Sequence, residues 1–214
     1  MTYEEGLAKL EGRARLATMA LWVFLAMATL SGFGSLLETA RVVDITVDTG
    51  TLATAVGLTY LAYGVVFIVS VVLVGMWIYR AHATLHEGGT EELEFTPGWA
   101  IGWYFVPFAN LVKPFQAMRE LWTASHSEVD RFGAAAPYEI KAWWAAWIVG
   151  NVLSTVSTRI LLLGEGGPNA VTVGNAFAFA SNVTDVVAAL LLLKIIAKVT
   201  EAQRGGLTAA AVFA

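Results

Sequence analysis

The amino-acid sequence predicts an all-α integral membrane helical bundle, with four transmembrane helices and one proline-broken segment. Three observations support this fold class. Of the 214 residues, 57% are hydrophobic and only 14% are charged, whereas soluble domains are about 45–50% apolar and about 25% charged. Four long runs carry almost no charge, and a further uncharged run is interrupted by prolines. One aqueous core could not bury so many apolar side chains, so we expect a single membrane domain over residues 1–214.

The first two predicted spans follow from uninterrupted apolar runs. Residues 16–37 contain no charged side chain and are long enough to cross a hydrocarbon core of about 30 Å. Residues 1–15 contain the capping-box pattern Thr2-Tyr3-Glu4-Glu5, which predicts a cytoplasmic N-terminal helix that leads into this span. The second predicted span, residues 52–79, lies in an uncharged run that is longer than one crossing needs.

The remaining two spans contain charged residues, unlike the first two. The third, residues 142–163, is long enough if Arg159 extends its guanidinium outward to the interface. The fourth, residues 175–196, carries Asp185 near its middle. Residues 197–214 are then predicted to form a cytoplasmic tail.

The distribution of basic residues predicts the topology. If residues 95–125 form a re-entrant or interfacial segment instead of a crossing, only Arg41 and Arg159 lie outside. The cytoplasmic side then collects the other basic residues, namely Lys9, Arg13, Arg15, Arg80, Lys113, Arg119, Arg131, Lys141, Lys194, Lys198 and Arg204. Basic residues gather on the cytoplasmic side of membrane proteins. We therefore expect a multi-pass protein with both its N- and C-termini in the cytoplasm.

The proline-broken segment has a predicted beginning and a predicted end. Thr96-Pro97 places a capping hydroxyl before a proline, so a helix should begin there and run to about Val106. Pro107 should stop this helix, because proline lacks the amide donor and clashes with the preceding turn. Pro114 is expected to break a helix again, and Asn110 is placed to satisfy a carbonyl that the break releases.

The sequence around this segment resembles a known family. The resembling stretches are Trp77-Ile78-Tyr79-Arg80-Ala81-His82, Phe95-Thr96-Pro97-Gly98-Trp99-Ala100, and the run from Trp103 to Trp122 that includes Val106-Pro107-Phe108-Ala109-Asn110. They are similar to the bacterial membrane family catalogued as domain of unknown function 4328. The resemblance implies a multi-pass protein of the bacterial inner membrane. It supplies no catalytic residue, because the family has no assigned reaction.

Aromatic and basic residues of the broken segment form a candidate lipid- or partner-binding site. Its members are Arg80, Trp99, Trp103, Pro107, Asn110, Lys113, Arg119 and Trp122. Tryptophan suits the membrane interface, and basic side chains near phosphate depth attract anionic headgroups. The same residues are also compatible with ordinary interfacial anchoring, so both interpretations stay open.

A second candidate site consists of polar residues inside the third and fourth spans. Antiparallel packing of these spans would place Asn151 at the depth of Asp185, and Ser154 at the depth of Asn182. Such a stripe could carry protons or cations. It could equally be a hydrogen-bond clamp between helices, in which each bond contributes only about 0.6 kcal/mol.

Other chemistry is restricted by composition. The chain has no cysteine, which excludes disulfides, thiolate zinc sites and iron–sulfur clusters. His82 and His86 share a helix face and are weak metal candidates, with an acidic side chain or His126 as a third ligand. We predict no cofactor. The net charge of -4 offers nucleic acid no general attraction.

These observations leave three functional hypotheses. The leading one is a non-enzymatic module that binds membrane lipid, a membrane-protein partner or a second copy of the chain through the aromatic segment. The second is transport of a small solute, protons or cations along a polar path at Asp185 and Asn151. An enzyme acting on lipid ranks last, because no complete nucleophile–base set is visible.

Overall fold

The structure is a computed structural model that describes residues 3–90, 92–126, 137–163 and 169–212. These described ranges contain helices and no strand. In chain order the helices are α1 (Tyr3–Thr39), α2 (Thr51–Glu87), α3 (Pro97–Gly102), the 3-10 helices Trp103–Phe105 and Ala109–Leu111, α4 (Lys113–Ser125), α5 (Tyr138–Leu163) and α6 (Ala170–Val212). Four of them, α1, α2, α5 and α6, are long and apolar enough to cross a membrane. The predicted all-α membrane bundle with four spans is confirmed.

The long helices extend beyond the predicted spans. The predicted N-terminal helix and the first span form one continuous helix, α1, whereas Thr2 of the predicted capping box lies outside the described residues. Helix α6 continues past residue 196 to Val212. Helix α2 ends at Glu87 because Gly89 adopts a φ of +72°, which lets the Thr90 amide donate to the Leu85 carbonyl at 3.1 Å. This arrangement is the usual glycine stop of a helix.

The chain divides into two compact units. The first unit comprises Met1–Ala20, Ser70–Ala142 and Leu191–Ala214, and the second comprises Leu21–Val69 and Trp143–Leu190. Each unit contains a section of all four long helices. The broken segment, with α3 and α4, belongs to the first unit.

Large buried side chains form the core of the first unit. Its fully buried residues include Leu10, Trp77, Met118, Leu121, Ile140, Ile195 and Val199. Side-chain hydrogen bonds tie the helices together around this core. The indole nitrogen of Trp77 donates to Thr200 Oγ1 at 3.2 Å. The Gln203 side-chain amide, on α6, donates to the Ala81 carbonyl on α2 and to Ser125 Oγ on α4.

Small residues let α5 and α6 approach closely in the second unit. The Ser157 hydroxyl donates to the Gly174 carbonyl at 2.8 Å, and the Ser181 hydroxyl donates to the Gly150 carbonyl at 3.1 Å. A Cβ atom built on Gly174 would lie 2.6 Å from the Leu161 side chain. Small residues and interhelical hydroxyl bonds are the usual means of packing helices in lipid.

Candidate functional site

The broken segment begins as the sequence predicted. The Thr96 hydroxyl accepts a hydrogen bond from the Trp99 amide at 3.4 Å, and Pro97 occupies the first turn of α3. The α-helix lasts only to Gly102 and then tightens into the 3-10 helix that ends at Phe105. The chain is extended at Val106, directly before Pro107. A proline restricts the preceding residue to such extended conformations, so the helix ends where Pro107 requires it.

A strained turn follows the break. The Ala109 amide donates to the Pro107 carbonyl at 2.7 Å, which closes a three-residue turn centred on Phe108. Phe108 has φ +62° and ψ -41°, the geometry of the rare γ-turn that costs a non-glycine residue strain energy. The turn is followed by the 3-10 helix Ala109–Leu111, which leads into α4.

Two details of the predicted break are corrected. Pro114 does not interrupt a helix, because it lies in the first turn of α4, where the missing amide hydrogen has no partner to lose. The Asn110 side chain makes no hydrogen bond to any residue that the structure describes. Instead its backbone amide donates to the Val106 carbonyl at 2.9 Å, so main-chain groups satisfy the released carbonyls.

The turn presents a cluster of exposed apolar side chains, which we call the apolar tip. It consists of Phe105, Phe108, Leu111 and Val112. Phe108 is 87% exposed and Phe105 is 77% exposed, and the other two are about half exposed. Burying a phenylalanine or leucine side chain is worth about 1.5–3 kcal/mol. The turn therefore leaves a large apolar surface exposed on this segment.

The base of the segment is fastened to α2 and α4. The Glu120 carboxylate accepts hydrogen bonds from the amides of Glu94 at 2.6 Å and Phe95 at 3.1 Å. The His86 ring lies 3.2 Å from the Phe95 carbonyl, and the Phe95 ring is buried. Partial burial raises the pKa of Glu120 above its ordinary value, although the two amides oppose this shift. The carboxylate thus holds in place the chain that enters α3.

Three of the predicted site residues lie together beside the tip. The rings of Trp99 and Trp103 are 4.8 Å apart between centroids. The Lys113 ammonium lies 5.9 Å from the Trp103 ring and 5.3 Å from the Phe95 ring, and it also pairs with Glu94 at 3.0 Å. This arrangement of a cation over aromatic faces stabilises the segment.

The other predicted residues of that site are placed elsewhere. Trp122 stacks on His126 at 4.5 Å, with the Lys198 ammonium 5.5 Å from its ring. Arg119 is exposed on α4. Arg80 is buried, where it donates to the Thr84 hydroxyl at 3.2 Å and pairs with Glu87. The structure therefore brings together only part of the predicted set.

The two histidines have separate surroundings. His82 is fully buried, with Nδ1 3.0 Å from the Ile78 carbonyl of its own helix. His86 contacts the Phe95 carbonyl instead. Within the described ranges, no three histidine, aspartate or glutamate side chains are grouped closely enough to hold a metal ion. Glu91, an acidic neighbour in the sequence, lies outside those ranges.

Asp185 has a partner that the sequence did not predict. The Tyr63 hydroxyl, on α2, donates to Asp185 Oδ2 at 2.8 Å. Asn151 is exposed and donates to the Trp147 carbonyl of its own helix at 2.7 Å. A Cβ atom on Gly150 would lie 3.1 Å from Asp185 Oδ1, so Gly150, and not Asn151, faces the carboxylate.

The other pair predicted to share one depth, Ser154 and Asn182, is not brought together either. Ser154 is exposed on α5. Asn182 is buried and donates to the Ala178 carbonyl of its own helix at 2.9 Å. The four polar side chains therefore do not form one set of contacts in the described part of the chain, since Asn151 and Ser154 are exposed on α5.

Sequence reasoning missed a second tyrosine–carboxylate contact in this unit. The Tyr60 hydroxyl donates to Glu38 Oε2 at 2.6 Å and lies 3.5 Å from the Ser35 hydroxyl. Tyr60 and Tyr63 are three residues apart in an uncharged run, so they lie near one another on α2. Two hydroxyl donors inside an apolar run were the signal that could have identified both carboxylates as hydrogen-bonded.

A family comparison covers most of the chain. Residues 43–201 match the model of the family described as Domain of unknown function (DUF4328). The match includes the broken segment and the whole of α2, α4 and α5. No curated protein and no solved structure matches the chain. The predicted resemblance is confirmed, and the chain belongs to the DUF4328 family.

Proposed function

We propose that this DUF4328 protein is a non-enzymatic membrane module that binds membrane lipid through its apolar tip. The observation that carries the proposal is the exposure of Phe105 and Phe108 on a turn beside four membrane-spanning helices. Aromatic side chains that protrude from a membrane protein gain free energy by contacting acyl chains. Lipid is the partner that surrounds such a protein on every side.

The way in which the tip is held supports this proposal. The γ-turn at Phe108 costs strain energy, which is found where the surrounding structure fixes a functional segment. The segment is also held at its base by the Glu120 carboxylate. A loop that only connected α2 to α4 would need neither feature.

We further propose that the protein lies in the bacterial inner membrane with both termini in the cytoplasm. The distribution of basic residues supports this orientation. Single cysteines test it, because the chain has none. Cysteine at Asp48 or Asn169 should react with an impermeant thiol reagent added to intact cells, and cysteine at Glu92 should not.

Lipid retention tests the proposed function. We expect wild-type protein, extracted in a mild detergent, to carry phospholipid that native mass spectrometry detects. Phe108→Ser should weaken this binding about tenfold, because a phenylalanine–lipid contact is lost. Leu162→Ser is the matched control, since Leu162 is 77% exposed on α5 and distant in sequence from the tip. It should retain the wild-type amount of lipid.

Two outcomes would contradict the proposal. Equal lipid retention by wild-type and Phe108→Ser protein would leave the tip without a role in lipid binding. Loss of a copurifying protein from Phe108→Ser, with lipid unchanged, would identify the tip as a protein-docking surface instead.

Transport is the second candidate function, and the Tyr63–Asp185 contact is the observation that favours it. A tyrosine hydroxyl bonded to a partly buried carboxylate could relay protons. Asp185→Asn should then abolish proton or cation flux into proteoliposomes while the protein remains folded. Absence of flux in the wild type under an imposed gradient would leave Asp185 as a structural hydrogen-bond partner.

A further inference from the structure

A groove of about 850 Å³ lies in the first unit, lined by residues of α1, α2 and the broken segment. Its apolar part is formed by Leu16, Val72, Met76, Ile101 and Phe105. We propose that this groove binds one anionic phospholipid, with an acyl chain along the apolar part and the phosphate at Arg13. The inference deepens the proposed function, and it rests on the protein being a lipid-binding membrane module.

Along α1 the groove passes from an apolar end to a basic end. A phospholipid likewise passes from apolar acyl chains to a polar headgroup. Leu16 begins the uncharged run of α1, and Arg13 and Lys9 precede it on the same helix face. From Leu16 to Lys9 the helix rises about 10 Å. One end of the groove therefore lies at the apolar section of the helix, and the other end is basic. Basic pockets between membrane helices are suited to anionic lipid headgroups.

Arg13 has unused hydrogen-bonding capacity. Its Nη1 lies 3.5 Å from the thioether sulfur of Met76, which is a weak acceptor. Among the residues that the structure describes, this is the only hydrogen bond of Arg13, and no carboxylate pairs with it. A guanidinium carries five donors in a planar fork that fits phosphate oxygens. An anion is the ligand that would complete this site.

Arg80 shows the contrasting case in the same groove. It also lines the groove, but its guanidinium is bonded to Thr84 and paired with Glu87. A Cβ atom on Gly6 would lie 2.6 Å from Arg80 Nη2, so the arginine is packed closely against α1. Arg80 is held by protein partners, which leaves Arg13 to bind the phosphate.

Two glycines, Gly12 and Gly75, line the groove. A Cβ atom on Gly75 would meet only Ile101, at 4.0 Å, which is ordinary van der Waals contact. A Cβ atom on Gly12 would have no neighbour within 4 Å. A longer side chain at Gly75 would therefore extend into the space that we assign to the acyl chain.

Direct titration of the full-length protein in mild detergent tests the inference. Native mass spectrometry should detect binding of dioleoyl phosphatidylglycerol at least tenfold tighter than binding of dioleoyl phosphatidylcholine, because only the former is anionic. Inorganic phosphate, added as a competitor, should not displace the lipid, since it lacks the acyl chains. Displacement by phosphate would show a simple anion site and would overturn the lipid assignment.

Two variants locate the binding, and each has a matched control. Arg13→Gln should weaken phosphatidylglycerol binding about tenfold and leave phosphatidylcholine binding unchanged. Gly75→Leu should weaken binding of both lipids by filling the groove, while Gly75→Ala, which fits the available space, reports on folding. Arg15→Gln is the matched charge control, because Arg15 is exposed and does not line the groove. Equal losses in Arg13→Gln and Arg15→Gln would mean non-specific attraction and would overturn the inference.

The outcome is separable from that of the proposed function. Phe108 does not line the groove, so its substitution tests the tip alone. If Phe108→Ser loses lipid while Arg13→Gln and Gly75→Leu do not, the lipid-binding module stands and the groove assignment fails. Sedimentation of Gly75→Leu as a different oligomer would show that a second copy of the chain, and not lipid, fills the groove.

Discussion

The first unit and the second unit are stabilised in different ways. The first unit buries large side chains such as Trp77 and Leu121, and polar groups of Gln203 and Thr200 link its helices. In the second unit glycines and serines bring α5 and α6 together, as at Gly174 and Ser157. In a lipid solvent, apolar side chains gain little by leaving the bilayer, so close packing and hydrogen bonds must hold the helices. The first unit instead resembles the interior of a soluble domain.

The two units also carry different candidate functions. The first unit carries the apolar tip and the groove, where we propose that lipid binds. The second unit carries two tyrosine–carboxylate contacts whose polar atoms are used within the protein. A well-packed core in the unit that carries a binding surface would keep the exposed side chains in one arrangement.

Truncation of a core side chain should have the largest effect. Trp77→Ala should lower the free energy of unfolding by about 3–5 kcal/mol, because it removes a fully buried indole and its hydrogen bond to Thr200. Thermal unfolding in detergent measures the change. Trp22→Ala, which truncates an exposed tryptophan of the second unit, should change stability by less than about 0.5 kcal/mol. Equal losses for the two variants would remove the distinction between the units.

In the second unit, replacing glycine with alanine should lower stability only where two helices are in contact. Gly174→Ala should destabilise the protein by about 1–3 kcal/mol, since the new Cβ would overlap Leu161. Gly57→Ala is the matched change in the same unit, with no neighbouring atom within 4 Å. It should stabilise α2 by up to about 1 kcal/mol through helix propensity. A gain at Gly174 would mean that α5 and α6 are not in close contact there.

The Tyr63–Asp185 hydrogen bond should contribute less to stability than the packing contacts above. A double-mutant cycle with Tyr63→Phe and Asp185→Leu should give a coupling energy of about 0.6 kcal/mol, the average for interhelical hydrogen bonds in membranes. Asn151→Leu combined with Asp185→Leu should be additive, because the Asn151 side chain bonds to Trp147 on its own helix. Coupling of Asp185 to Asn151 instead of Tyr63 would favour the pairing that the sequence predicted.

The smallest expected effect is a pH dependence from Glu120. Its folded-state pKa is raised above the ordinary value of 4.5, mainly by burial. The folded state therefore retains the proton more tightly than the unfolded chain does, and this contribution to stability is lost as pH rises above 4.5 through the raised pKa. Glu120→Gln cannot titrate, so its unfolding temperature should vary less over that pH range. Parallel curves for the two proteins would contradict the raised pKa.

The helices and the break were predictable because they depend on residue type. Long apolar runs with few or no charges identified the four spans, and Thr96-Pro97 identified the start of α3. The γ-turn was not predictable, since phenylalanine rarely adopts a positive φ and nothing in the sequence near Phe108 signals it.

The sequence could predict the depth at which the polar residues lie along the bundle. It could not predict which way their side chains point around the helix axis. Antiparallel packing placed Asp185 correctly opposite the region of residues 150 and 151. One residue corresponds to a rotation of about 100° around the helix, so an error of one position turns a side chain from the neighbour to the lipid. The sequence alone also gave no reason to place Tyr63, on a different helix, beside the carboxylate.

The depth of the apolar tip tests the central claim most directly. A nitroxide spin label on a cysteine at position 108 can be measured in reconstituted bilayers, since the chain has no native cysteine. We predict that its relaxation is enhanced more by oxygen, which partitions into lipid, than by a water-soluble nickel chelate. A label at Val47, in the connection between α1 and α2, should show the opposite preference. Greater enhancement by the nickel chelate at position 108 would place the tip in water and would contradict lipid binding through it.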